Sequence, residues 1–196
     1  MATTLIALIR GINVGPSKRV AMADLRELLT GLGYADVRTH LQSGNAVFST
    51  GAVAATVAAE IEEALADKVG VRASVVVRTG RQLAAAVAAD PLGEIADNGS
   101  RHFLGFLSAE PDPAKVAAVP ELGEDADTAP DVVRLVGDHL YLWCPNGILN
   151  ATFSRIDWDR KLGVVVTMRN WNTATKLAEL SGAWPLCGAD HHRERG

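Results

Sequence analysis

Two stretches of this sequence carry one pattern. Residues 68–83 read KVGVRASVVVRTGRQL and residues 161–177 read KLGVVVTMRNWNTATKL: a helix end, a glycine, an apolar strand, an arginine and then a new helix. A hairpin signal precedes each copy, and a strand and a helix precede each hairpin. Self-similarity of this kind constrains a fold more than any single motif, because each copy has to be one supersecondary unit. The doubled order of strand, helix, strand, strand, helix, strand, helix predicts an α+β chain. Its most economical form is two tandem ferredoxin-like subdomains, βαββαβ plus a helix, related by internal duplication. A single mixed sheet shared by both halves is the rival. Residues 90–100 contain Asp90-Pro91, Gly93 and Asn98-Gly99, a cluster of breakers that suits a boundary. Residues 1–97 and 98–186 are therefore read as the two subdomains and residues 187–196 as a flexible tail.

In the first half, residues 4–9 (TLIALI) are continuously apolar, as in a central strand covered on both faces. They are too short for a membrane span or a signal sequence. Met22, Leu25, Leu28, Leu29 and Leu32 recur at helical spacing, and Gly33 stands where a helix C-terminus belongs. Two β-prone runs, 37–41 and 46–49, flank Gln42-Ser43-Gly44-Asn45, a hairpin turn. Ser49 or Thr50 is placed to cap a helix whose Val53, Val57, Ile61 and Leu65 recur every four residues. Gly70 ends that helix, residues 71–77 form a strand, and a closing helix stops before Pro91.

The second half opens with a strand at 102–107, and Asp112 with Pro113 supplies the cap and first turn of a short helix. Residues 120–130 are acidic loop. Strands at 131–136 and 139–143 flank Gly137-Asp138, a two-residue hairpin signal. A helix at 149–160, a strand at 164–168 and a helix at 173–180, capped by Asn172 or Thr173, complete the copy.

Charge and cysteine content narrow the function classes. Lys and Arg number 19 against 23 Asp and Glu, a net charge of −4, so no overall field draws in nucleic acid or an anionic membrane, and any anion site is local. The two cysteines, Cys144 and Cys187, offer neither a disulfide framework nor metal-ligand spacing. A reduced cytoplasmic location follows, with no cofactor, metal or membrane partner implied.

IALIRGINVG at the N-terminus, the run LQSGNAVFST and the later TMRNWNTATKL together resemble the bacterial family known as domain of unknown function 1697. The three motifs occur in the expected order over nearly the whole chain. The resemblance implies a cytoplasmic α/β protein without an agreed activity. Arg10, Gly11, Asn13 and Gly15 match its first motif, Gln42, Ser43, Gly44 and Asn45 its second, and Arg169, Asn170, Trp171 and Thr173 its third. Relatives often carry a Ser-Lys-Leu-like segment in the helix before the last strand, where this chain has Ala151-Thr152-Phe153. Any chemistry depending on that lysine would be missing here.

Two loops are candidate ligand-binding elements. Residues 10–19, RGINVGPSKR, join a buried strand to a helix start, where backbone N–H groups and the positive end of a helix dipole favour an anion. Arg10, Gly11, Asn13, Gly15 and Lys18 are its candidate residues, although the spacing fits neither a P-loop nor a dinucleotide fingerprint. Residues 169–173 again lie between strand and helix. There Arg169, Asn170, Trp171 and Thr173 could hydrogen-bond and stack on a planar ligand such as a nucleobase. The bland alternatives are a geometric connector for the first loop and, for the second, Trp171 filling space between lobes, Arg169 in an ion pair and the Asn residues capping. Gln42 to Asn45 read as a turn; with the first and third strands of a ferredoxin-like unit taken as parallel, it is set at the opposite end from Arg10, about 20 Å away, too far for one small ligand to touch both within a single lobe.

No nucleophile, base and metal set can be assembled. Ser43 lacks the G-x-S-x-G elbow, His40 and His102 belong to strands, His191 and His192 lie in the tail, and the acidic run Glu121, Glu124, Asp125, Asp127 lacks calcium-loop spacing. The sequence thus favours a noncatalytic binder of a nucleotide-like or phosphorylated ligand or of single-stranded nucleic acid. An enzyme acting on a small phosphorylated or acyl substrate between the lobes, and a structural or partner-binding protein, are the alternatives.

Overall fold

In the computed structural model, which describes residues 2–14, 19–123 and 126–184, the chain forms two separate four-stranded sheets. The first has order β2-β3-β1-β4, from β1 (Thr3–Ile9), β2 (Ala35–His40), β3 (Asn45–Thr50) and β4 (Val75–Thr79). The second has order β6-β7-β5-β8, from β5 (His102–Leu107), β6 (Val132–Val136), β7 (His139–Trp143) and β8 (Val166–Asn170). All neighbouring strands are antiparallel. The shared mixed sheet is excluded. The helices are α1 (Met22–Gly31), α2 (Ala54–Ala64), α3 (Gly80–Ala88), α4 (Pro113–Ala117), α5 (Trp158–Leu162) and α6 (Trp171–Leu180).

β1 shows why its run is apolar without alternation. Leu5, Ala7 and Ile9 face one way and pack with Leu25, Leu29, Phe48, Val57 and Ile61 under α1 and α2. Ile6 and Leu8 face the other way, into a cluster drawn from both halves: Val76, Leu83 and Val87 from the first, Leu104, Phe106, Tyr141, Ala174 and Leu177 from the second. Successive residues of a strand point to opposite faces, so a strand buried on both sides has no polar position to offer. α3 and α6 lie against each other within this shared core. A third cluster, with Leu107, Leu140, Phe153, Trp158 and Leu162, covers the outer face of the second sheet. The lobes are thus joined by an apolar core in which each fully buried leucine is worth about 1.5–3 kcal/mol.

Several sequence expectations are corrected. β1 and β3 are antiparallel, with Leu8 opposite Asn45, so Arg10 and the turn before Asn45 lie at the same end of the sheet and not across its length. Residues 149–160 do not form one helix: short 3-10 turns at Ile148–Asn150 and Thr152–Arg155 precede α5, because Ala151 between them is extended. α2 begins at Ala54, with Val53 at the N-cap position giving no side-chain cap, and Thr50 instead accepts a hydrogen bond from the Ala52 N–H (3.2 Å). α6 is capped by Asn170, whose side chain accepts from the Thr173 N–H (3.0 Å), two residues ahead of the expected position. Thr79 does the same for α3, completed as a capping box by Gln82. β4 starts at Val75 and not at residue 71, since the preceding residues serve to leave the π-helical turn Leu65–Val69 through the left-handed Gly70.

Candidate functional site

The two halves hold each other through a reciprocal pair of arginines on the edge strands β4 and β8. Val75 stands opposite Ile9 and Val166 opposite Leu107, which gives Arg78 and Arg169, each three residues further on, the same place in the two sheets. Arg78 leaves its own sheet: its Nη2 donates to the Leu107 carbonyl (2.5 Å) and to Asp138 Oδ2 (2.7 Å) in the β6–β7 hairpin. Arg169 crosses the other way. Its Nη2 donates to the Ile9 carbonyl (2.9 Å) and to those of Ser43 (3.2 Å) and Gly44 (3.4 Å), and its Nε to Asn45 Oδ1 (2.5 Å). Nη1 is taken by Thr167 Oγ1 (2.9 Å) and the Met168 carbonyl (2.8 Å). Every nitrogen of Arg169 is thus donated inside the protein.

The electrostatics of the two ends differ. Asp138 offsets the charge of Arg78, and its pull opposes the desolvation that lowers the Arg78 pKa. Arg169 is surrounded by carbonyls, a hydroxyl and an amide, and no carboxylate among the described residues bonds it. Burial alone pushes its pKa down to about 10, which leaves it cationic at neutral pH. A buried cation without a carboxylate partner is costly, and negative charge brought nearby lowers that cost.

A cleft of about 690 Å³ opens beside Arg169 between the lobes. Arg10, Gly11, Ile12, Val14, Leu41 and Ser43 form its first-lobe wall, and Phe103, Asp157, Trp158, Asp159, Met168, Asn170 and Thr173 are on the second-lobe side. Arg10, exposed at the mouth, is ion-paired across the cleft through Nη1 to Asp159 Oδ2, while Asp159 Oδ1 accepts from the Val166 N–H (3.1 Å). Asp159 therefore fixes one arm of Arg10 and leaves its Nε and Nη2 free of bonds within the described residues. Leu41 and Val14, 58% and 78% exposed, present apolar side chains at the rim. Leu41 and the nearby Asn13 also have left-handed backbones, with φ of 56° and 59°, at a cost of about 1–3 kcal/mol each that rigid surroundings have to sustain.

Of the residues singled out in the sequence, Arg10, Gly11, Arg169, Asn170 and Thr173 converge on this cleft. Asn13 does not: its amide donates to the Val20 and Gln42 carbonyls (2.9 and 2.7 Å) and accepts from the Val20 N–H (2.9 Å), which closes the loop on itself. Trp171 stacks on His102 with ring centroids 4.2 Å apart and packs against the shared core, away from the cleft lining. Gly15 and Lys18, with Cys187, His191, His192, Glu124 and Asp125, lie outside the described residues. Thr152, where the resemblance leads one to expect a lysine, donates to Asp131 Oδ2 (3.0 Å) and is not among the cleft-lining residues. Among the described residues no group of three or more His, Cys, Asp or Glu could hold a metal, and no helix is long and apolar enough to cross a membrane.

Sequence reasoning set Ser43 aside as a turn residue and missed Phe103, Asp157, Asp159 and Arg78 as site residues. Arg78 was within reach, since aligning VVVRT with VTMRN sets it against Arg169. The acidic pair was not, because nothing local marks a short helix that approaches another lobe.

Comparison with known proteins supports the same architecture. A family model described as protein of unknown function (DUF1697) matches residues 2–141, a stretch that holds the first two motifs and ends before Arg169. A conserved bacterial protein from Streptococcus pneumoniae, SP0830, has a similar solved structure, with a TM-score of 0.73 and 22% identity over 93% of this chain and 99% of that one. No curated protein matches the sequence.

Proposed function

Since this chain belongs to the DUF1697 family, whose description assigns no activity, we propose from its own geometry that it is a noncatalytic binder of a nucleotide-like, phosphorylated small molecule in the inter-lobe cleft. The observation that carries this reading is Arg169: a buried cation with no carboxylate bonded to it among the described residues, next to a cleft whose volume of about 690 Å³ falls in the range of small-ligand sites. Arg10 supplies the direct contact. Held by Asp159, it keeps two donor groups for a phosphate, while Arg169 acts through its field because its N–H groups are all engaged. Phe103 and Met168 offer the flat apolar surface that a base or similar ring would cover, with the Asn170 amide N–H and the Ser43 hydroxyl beside it for polar edges. Gly11, with φ of 67° and open space around it, leaves backbone accessible to the ligand, and Thr173 completes the wall.

The same reading treats residues 1–97 and 98–186 as copies of one ferredoxin-like unit. Its support is the equivalent strand orders and the reciprocal placement of Arg78 and Arg169. In a duplicated frame the joint recurs while the function needs one site, which accounts for Asp138 at one end and, among the described residues, an arginine without a carboxylate at the other.

The test is thermal unfolding with the nucleoside monophosphates in excess. A ligand at a hundred times its Kd stabilises by about 2.7 kcal/mol, which raises the Tm of a protein this size by roughly 5–10 °C. The rise is expected to vanish in Arg10→Ala and to shrink with added salt. No shift with any of them, in protein shown to be folded, refutes the proposal.

A further inference from the structure

Arg10 lines a second cleft as well as the first. This one, about 660 Å³, is bounded by Arg10, Gly11, Glu62, Arg72, Ala73 and Ser74. The two clefts meet at Arg10 and Gly11. The juxtaposition is built by the sheet: the Arg10 N–H donates to the Ser74 carbonyl (2.8 Å), which draws the end of β1 alongside the segment that carries Arg72 into β4.

The charges of the second cleft favour an anion. Arg72 is exposed and makes no ion pair within the described residues. Glu62 is the acid present, and its Oε1 already accepts from the Val75 N–H (2.7 Å), which turns part of its charge towards the start of β4. Arg10 faces Asp159 with one nitrogen only. A group bridging Arg10 and Arg72 would therefore meet two guanidinium groups with unused N–H donors. Planar guanidinium is suited to phosphate because it can give two parallel hydrogen bonds. The first cleft carries the large apolar walls, whereas the second is lined by charged side chains and small residues. A ligand lying through both would place its ring among Phe103 and Met168 and its charged end past Arg10.

We propose that the furrow formed by the two clefts takes a nucleoside diphosphate, with one phosphate at Arg10 and the next between Arg10 and Arg72. This rests on the reading of the first cleft as a nucleotide site and adds a second anion subsite to it.

Titration calorimetry with the ribonucleoside mono- and diphosphates of each base, without added metal, tests it on the full chain. For the base that binds, the diphosphate is expected to bind about ten-fold more tightly than the monophosphate, the gain of one charge-assisted contact of about 1.4 kcal/mol. Arg72→Gln is expected to erase that advantage and to leave monophosphate binding unchanged, whereas Arg10→Ala weakens both. Arg72 is exposed at the surface, so Arg72→Gln should keep its fold, which far-ultraviolet circular dichroism verifies. If a monophosphate binds as tightly as its diphosphate, or if Arg72→Gln leaves the difference intact, the second subsite is overturned while the first-cleft reading stands. If neither class of nucleotide binds, both fall.

Discussion

Replacing Arg169 by methionine removes the guanidinium and keeps much of the side-chain volume. The Ile9 carbonyl and Asn45 Oδ1 each lose a donor, as do the Ser43 carbonyl and Thr167 Oγ1. The Gly44 carbonyl keeps the Ile9 N–H (2.8 Å). Asn45 is fully buried, so its oxygen cannot turn to water. Two strongly buried acceptors at about 1–3 kcal/mol each give a loss of roughly 2–6 kcal/mol, reduced by the relief of no longer burying a charge. We expect a net destabilisation of about 3–4 kcal/mol. In urea, with a slope of about 2–3 kcal/mol per molar for a chain of this size, the midpoint falls by about 1–2 M. Arg169→Lys should lose nearly as much, because a single ammonium cannot reach Asn45 and the turn carbonyls together. A midpoint within about 0.3 M of the wild type for Arg169→Met, well inside the shift expected from one lost buried contact, would refute the idea that this residue fastens the lobes.

The other expectations concern single sites. Gly44→Ala puts a Cβ 2.9 Å from Ile12 and 3.0 Å from Ile9 at a φ of 77°, so a loss of roughly 2–4 kcal/mol is expected from strain and overpacking together; equilibrium unfolding checks it, and a neutral effect would contradict it. Burial pushes the Cys144 thiol up to about 12, helped by Asp131, so iodoacetamide at pH 8 should leave the Cys144 peptide unlabelled in native protein and label it in urea; rapid native labelling would overturn this. Burial holds the His102 and His139 imidazoles below their ordinary value, against Asp90 and Asp138 respectively. The unfolded chain then takes up protons first, so the stability these groups confer is full above the ordinary imidazole value and is lost as pH falls below it. Stability should decline from about pH 7 to about pH 5, and less steeply in His102→Phe; an equal slope in the variant would exclude His102 as a cause.

The sequence made the repeated order of elements legible because the signals involved are local. The apolar run at β1, the Leu spacing in α1, the Gly137-Asp138 hairpin and the Asp112-Pro113 helix start all fell where the residues placed them. Element ends were less legible. Asn170 and Thr79 cap their helices from the last strand residue, and a polar residue there reads equally well as the end of a strand. The expected helix at 149–160 rested on the order of elements alone, and the extended backbone at Ala151 breaks it into shorter turns. The candidate site was half visible: Arg10 and Arg169 stood out as basic residues at strand ends, but the bonds of Arg169 span up to 160 positions of the chain, and no local pattern encodes such a distance. Trp171 drew attention for its chemistry, and its packing against His102 could be known only from the fold.

A crystal structure grown with the tightest-binding nucleotide tests the central claim most directly. The account predicts phosphate density within hydrogen-bonding reach of the Arg10 guanidinium, the ring against Phe103 and Met168, and Arg169 still bonded to Asn45. Nucleotide density on another face of the protein, with the cleft beside Arg169 unchanged, would contradict it.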